Sequence, residues 1–215
     1  MSREEELQRN VTRLALKALG GTSFALAGSG AIREHGIIDR PTEDVDLFTS
    51  NVNIGDFGAA IDQVLDALRA SGYGVEAGRR SDQFARLQVR APNGQQVDID
   101  MGMDWREAEP VILSIGPVLS LADAVGNKVS ALYSRAEARD FLDVDAIRAS
   151  GTFNDTQLIE AATERDAGFE VPMFIQQLDR AQRLTPDRVE EYGVDAAQLD
   201  AIKARFATWS AELVG

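Results

Sequence analysis

Two aspartates, Asp44 and Asp46, bracket Val45 where Val45 and Leu47 alternate with acids as strand residues do. Residues at i and i+2 of a strand leave the same face with Cβ atoms roughly 6.5–7 Å apart, so both carboxylates can turn oxygens onto one divalent ion. Side by side they repel, and that cost calls for a cation or an arginine. Magnesium suits the position, being a hard ion that takes carboxylate and phosphate oxygens while keeping several waters; manganese can replace it. A solvated strand face would carry the same D-x-D pattern, so the surrounding motifs matter. Upstream, Gly28-Ser29-Gly30 follows the apolar run Phe24-Ala25-Leu26-Ala27. Backbone N–H groups of such a turn, with the Ser29 hydroxyl, can cradle phosphate oxygens. It is not a Walker loop, because no Lys-Ser/Thr follows.

Downstream, Asp98 and Asp100 alternate with Val97, Ile99 and Met101 and share one strand face. If this strand neighbours the first, one of them completes the three-carboxylate cluster of two-metal phosphoryl chemistry, and strand geometry alone does not choose between them. In a later helical stretch, Lys128 falls within or beside the apolar stripe Leu121, Val125, Val129 and Leu132. A lysine there either snorkels outward or meets an anion such as a triphosphate. Arg139 and Asp143 stand at i,i+4, and Asp140 and Asp143 at i,i+3. That spacing makes a plain helix ion pair or a network that orients Lys128.

The elements that must hold these groups follow from periodicity. Helical spacing covers 3–19 and 54–70, with a short helical turn at 31–36, and strand patterns fall at 24–27, 44–48, 73–77, 84–90 and 96–101. The turn Ala91-Pro92-Asn93-Gly94 joins the last two strands as a hairpin. After Pro117 alternation gives way to helical spacing, near 121–132, 137–149, 155–165, 171–183 and 195–213. Ser120 and Asp123 resemble a capping box at the first of these. The expected fold is therefore α+β: a mixed sheet with flanking helices over 1–117, then a helical bundle over 118–215.

Composition narrows the chemistry further. The 215 residues contain no cysteine and a single histidine, His35, which excludes disulfides, thiolate zinc, iron–sulfur clusters, a cysteine nucleophile and multi-histidine metal sites. Any metal must be held by oxygen. A net charge of -13 opposes long-range attraction of polyanions, leaving local basic strips, Arg79, Arg80, Arg86 and Arg90 or Lys128, Arg135 and Arg139, as places where nucleic acid can dock. No run approaches the roughly 18 apolar residues of a membrane span, and the acidic start Met1-Ser2-Arg3-Glu4-Glu5-Glu6 is unlike a signal peptide, so a cytoplasmic location without a membrane partner is expected.

Taken together, Leu26-Ala27-Gly28-Ser29, Arg40-Pro41-Thr42-Glu43-Asp44-Val45-Asp46-Leu47-Phe48, Val97-Asp98-Ile99 and Lys128 through Arg135 to Arg139-Asp140-Phe141-Leu142-Asp143 resemble the AbiEii/AbiGii-type nucleotidyltransferases. That family includes toxins of toxin–antitoxin systems, is related to the MenT toxins, and lies within the DNA polymerase β-like superfamily. The resemblance spans about residues 20–150. It implies a nucleotidyltransferase fold, and a reaction moving a nucleoside monophosphate from a magnesium-bound nucleoside triphosphate to an acceptor hydroxyl, with the 3′ end of tRNA as acceptor and a cognate antitoxin as partner. Gly28 and Ser29 would contact phosphate, Asp44 and Asp46 would bind the metal, and Asp98 matches the third acid, leaving Asp100 a spectator. Lys128 resembles the triphosphate-binding lysine, Asp143 with Asp140 the late acidic motif, and Arg139 a nucleotide contact. Thr42 matches a Ser/Thr that the antitoxin phosphorylates in some relatives. Alternatives from other classes are a small-molecule nucleotidyltransferase of the aminoglycoside type, an NTP-dependent phosphotransferase and a non-catalytic nucleotide-binding protein.

Overall fold

The computed structural model describes residues 2–42, 44–50 and 54–214. Glu43 of the motif around the paired aspartates lies outside them. The chain forms two units, Met1–Glu34 with Thr42–Ser120, and His35–Pro41 with Leu121–Gly215.

The first unit is built on a seven-stranded mixed sheet. Its elements are α1 (Arg3–Ala18), β1 (Ala25–Leu26), α2 (Gly28–Glu34), β2 (Asp44–Thr49), α3 (Ile54–Ala70), β3 (Gly74–Arg80), β4 (Phe84–Arg90), β5 (Gln96–Met103), β6 (Val111–Leu113) and β7 (Gly116–Val118), with strand order β3-β4-β5-β2-β1-β7-β6. β2 pairs parallel with β5, β1 parallel with β7, and the remaining neighbours are antiparallel. The two-residue period of β2 buries Val45, Leu47 and Thr49 on one face and leaves Asp44, Asp46 and Phe48 partly exposed on the other. Apolar residues of the neighbouring strands, Leu87, Ile99 and Met101, are also fully buried.

α1 and α3 pack on each other and on the strands. Ser2 caps α1 in a reciprocal box with Glu5: the Ser2 hydroxyl accepts from the Glu5 amide, and the Glu5 carboxylate from the Ser2 amide. The β4–β5 hairpin turns at Asn93-Gly94, where Gly94 takes the left-handed φ of +88° that favours glycine.

The second unit comprises α4 (Leu121–Ser134), α5 (Ala138–Ala149), α6 (Asp155–Arg165), α7 (Val171–Asp179) and α8 (Ala196–Val214), with three short 3₁₀ turns over 180–192. Aromatic edges knit its core: Phe141 meets Phe206 at 5.2 Å and Phe174 meets Trp209 at 5.3 Å between ring centroids, both near-perpendicular. Arg165 bonds the buried Asp123 at 2.8 Å, and Arg205 forks onto Asp145 at 2.7 Å.

Four features differ from the sequence expectation. α2 takes in Gly28–Gly30, expected as a turn, and ends at Glu34 rather than 36. β6 and β7 escape it because three-residue strands, one containing Pro117, are too short to show alternation. With β7 in the sheet, the first unit runs to Ser120 rather than 117, and the segment 35–41 belongs with the helices. The helical stretch at 171–183 tightens to 3₁₀ geometry after Asp179. Among the described residues no helix is long and apolar enough to cross a membrane.

Candidate active site

In the first unit, carboxylate oxygens of Asp44, Asp46 and Asp100 lie within 4.8 Å of one another. Register explains the grouping. Parallel pairing of β2 with β5 sets Asp46 opposite Asp100 and Asp44 opposite Asp98. Asp46 is thus the shared neighbour, with Asp44 two residues along its own strand and Asp100 directly across. Asp98, expected as the third acid, lies outside this cluster, half-buried and facing Gln88 of β4, while Asp100 lies within it.

On its other side Asp46 abuts the start of α2. Gly28 has a φ of +57°, and a Cβ built there would stand 1.8 Å from Asp46 Oδ2. No residue with a side chain fits without displacing that carboxylate, which gives the Gly-Ser turn a physical requirement for glycine. The backbone agrees: the Ala27 amide donates to the Asp46 carbonyl at 2.8 Å.

Arg86 on β4 faces Asp100 and forks onto it, Nε to Oδ1 at 2.6 Å and Nη2 to Oδ2 at 2.5 Å. The Asp100 hydrogen bonds are the main reason its guanidinium is held above the ordinary arginine range; burial opposes them, and the charges of Asp100, Asp98 and Asp44 add to them. The other arginines of that basic strip are also engaged. Arg80 bonds Asp62 at 2.9 Å, and Arg79 lies over the Phe84 ring.

Thr42, two residues before Asp44, is buried and held by α1 and α2. Its hydroxyl donates to Gln8 Oε1 at 2.9 Å and accepts from Arg33 Nη1 at 3.3 Å, while Gln8 Nε2 donates to the Thr42 carbonyl. This clamp fixes the approach of the chain to the paired aspartates. Gln8 sits on the apolar face of α1, and a polar residue at that spacing was its one sequence signal.

In the second unit, Lys128 pairs with Asp143 at 2.8 Å, and Arg40 forks onto the same carboxylate at 2.7 and 2.8 Å. Asp143 is fully buried. Burial alone would raise its pKa, but the Lys128 charge and the Arg40 hydrogen bonds overcome this and hold it below the usual carboxylate value. Of the arrangements the helix spacing allowed, the network around Lys128 is present, with Arg40 as its second cation. Arg40 also lies over the Tyr192 ring at 5.1 Å. Arg139 bonds Glu137 at 3.1 Å. Asp140, expected near a nucleotide, is fully buried and accepts a fork from Arg135 at 2.8 Å plus the Glu137 amide at 3.1 Å, so its carboxylate serves the fold.

The donor set on the sheet is all oxygen and converges where Gly28 leaves space, as a hard divalent cation requires. A family model described as nucleotidyl transferase AbiEii toxin, type IV toxin–antitoxin system, matches residues 12–214. The chain belongs to the AbiEii nucleotidyl transferase toxin family. It is accordingly a transferase of nucleotidyl groups with a toxin role.

Solved structures share the fold at low identity. A Helicobacter pylori structure described as a nucleotidyltransferase aligns over 99% of this chain and 96% of its own, with 15% identity and a TM-score of 0.65. MenT4, a nucleotidyltransferase toxin of Mycobacterium tuberculosis, aligns over 95% and 83%, with 18% identity and a TM-score of 0.63. JHP933 of H. pylori gives 99%, 97%, 17% and 0.58. No curated protein matches the sequence.

Proposed function

We propose that this AbiEii-family chain moves a nucleoside monophosphate from a nucleoside triphosphate to the 3′ end of tRNA, as the toxin partner of a cognate antitoxin. The observation that carries this reading is the convergence of Asp44, Asp46 and Asp100 beside Gly28, where any side chain would displace the Asp46 carboxylate. The acceptor oxygen forms a bond to the α-phosphorus, the bond from that phosphorus to the pyrophosphate oxygen breaks, and the hydroxyl proton passes to a carboxylate of the cluster. Mg²⁺ or Mn²⁺ held by Asp44, Asp46 and Asp100 would offset the charge on the phosphates. Gly28 and Ser29 are assigned the phosphate contact through backbone N–H groups and hydroxyl. By the motif resemblance Lys128 would carry triphosphate charge; within the second unit its ammonium is held by Asp143, which Arg40 also forks.

The test incubates the protein with each α-labelled nucleoside triphosphate and total tRNA, with Asp44→Asn as control. A labelled tRNA band and released pyrophosphate in the wild type alone are expected. Label on nothing, or an equal band with Asp44→Asn, overturns the reading, and release of nucleoside diphosphate instead of pyrophosphate makes the protein a phosphotransferase. The net charge of -13 favours a cationic small acceptor. Parallel reactions with an aminoglycoside in place of tRNA decide between the two.

A further inference from the structure

A cavity of about 550 Å³ in the second unit is lined by five arginines, Arg135, Arg139, Arg180, Arg183 and Arg188, against two carboxylates, Glu137 and Glu191. Such an excess of guanidinium groups is unexpected in a chain of charge -13. Three of the five are anchored: Arg135 on Asp140, Arg139 on Glu137 and Arg180 on Gln177. Arg183 and Arg188 are exposed and, among the described residues, carry no ion pair. They stand on two successive 3₁₀ turns, Arg180–Arg183 and Pro186–Arg188, and both line the cavity.

We propose that this cavity binds the phosphodiester backbone of a single-stranded RNA, the chemical class of the proposed acceptor. Planar guanidinium forks match phosphate oxygens two at a time, and guanidinium planes also stack on unpaired bases. The lining arginines come from two chain segments, 135–139 and 180–188, and competition by ATP separates a strand from a free nucleotide. An anionic lipid surface is excluded by shape, because these side chains line a concavity. On an acidic protein a local basic cavity also gives selectivity, as RNA is repelled elsewhere and admitted here. The proposal rests on the transfer reading only for the word acceptor; the binding itself does not depend on it.

The test is fluorescence anisotropy with a labelled single-stranded RNA of about a dozen nucleotides, without nucleotide or metal, from about 50 to about 200 mM salt. The wild type is expected to bind with affinity falling as salt rises. Arg183→Ser/Arg188→Ser should bind at least about tenfold more weakly, and its log–log salt slope should be shallower by about 1.4, two contacts at about 0.7 each. Arg188→Glu alone, a change at one exposed side chain, should weaken binding in the same direction, and a thermal melt of each variant checks the fold. Equal binding by wild type and variants, no binding by the wild type, or ATP competing as strongly as RNA would each overturn the proposal. RNA binding that depends on these arginines without any NTP-dependent labelling would sink the transfer reading and leave this one standing.

Discussion

Asp46 on the sheet and Asp143 in the helical unit are both aspartates surrounded by charge, and their surroundings differ in sign. Asp46 shares a few ångströms with two more carboxylates, Asp44, half-buried like itself, and the buried Asp100. Asp143 is fully buried between two cations, Lys128 and Arg40. A fold neutralises a charge that it must bury, because an unpaired one costs several kcal/mol. In the carboxylate cluster Arg86 offsets only Asp100, and the like charges that remain together mark a candidate site for a ligand of opposite charge. The contrast separates the residue whose loss should remove chemistry from the residue whose loss should remove stability.

Asp46→Asn should break the contrast hardest if it is wrong. Nucleotidyl transfer is expected to fall at least about a thousandfold, as when a preorganised charge is removed from a transition state. The melting temperature should hold or rise, since one carboxylate repulsion is relieved. Labelled-nucleotide transfer and a thermal melt on the same preparation check both. A variant that melts well below wild type would place Asp46 in the fold and not in the chemistry.

Asp143→Ala should behave in the opposite way. Removing the carboxylate takes from Lys128 and Arg40 the buried charge that both of them pair, which should cost about 3–5 kcal/mol in urea unfolding. A loss under about 1 kcal/mol would mean that the pair is no better than a surface salt bridge and that the comparison fails.

These two residues were not equally legible. The period of a strand places Asp44 and Asp46 on one face, and helix spacing allows a network around Lys128, so both motifs are visible locally. Arg40 is not, because it meets Asp143 across 103 positions of sequence and comes from the segment 35–41, which no local period assigns to the helices. The partner of Arg86 was within reach. The hairpin is symmetric about Asn93, and that symmetry alone sets Arg86 opposite Asp100. The third acid was not, because alternation puts Asp98 and Asp100 on the same face and only the parallel register of β2 and β5 decides which one meets Asp46. The cavity arginines of 180–188 lie on 3₁₀ turns, whose three-residue repeat leaves no amphipathic pattern to read.

Exchanging the two later acids sharpens the sheet side of the comparison. Asp100→Asn should lower transfer by about a hundredfold, because it empties one position of the cluster, whereas Asp98→Asn should lower it by less than about tenfold. Steady-state rates at saturating nucleotide give the ratio. A larger loss for Asp98→Asn would show that register is a poor guide to the site and that the motif resemblance, which favours Asp98, is the better one.

Acidity gives the smallest and most specific effect, on the helical side. The folded pKa of Asp143 is depressed, so its ion pairs contribute stability that is complete above the unfolded value and is lost as pH falls through the folded one. Asp143→Asn cannot titrate there. The gap in unfolding free energy between wild type and this variant should therefore be constant above about pH 5 and narrow below about pH 4, where ordinary carboxylates protonate. Urea unfolding of both proteins across that range measures the gap. A gap that stays constant to the acid limit would mean that the Asp143 carboxylate gains nothing from Lys128 and Arg40 beyond what an amide gains, and the two aspartates would then differ in burial alone.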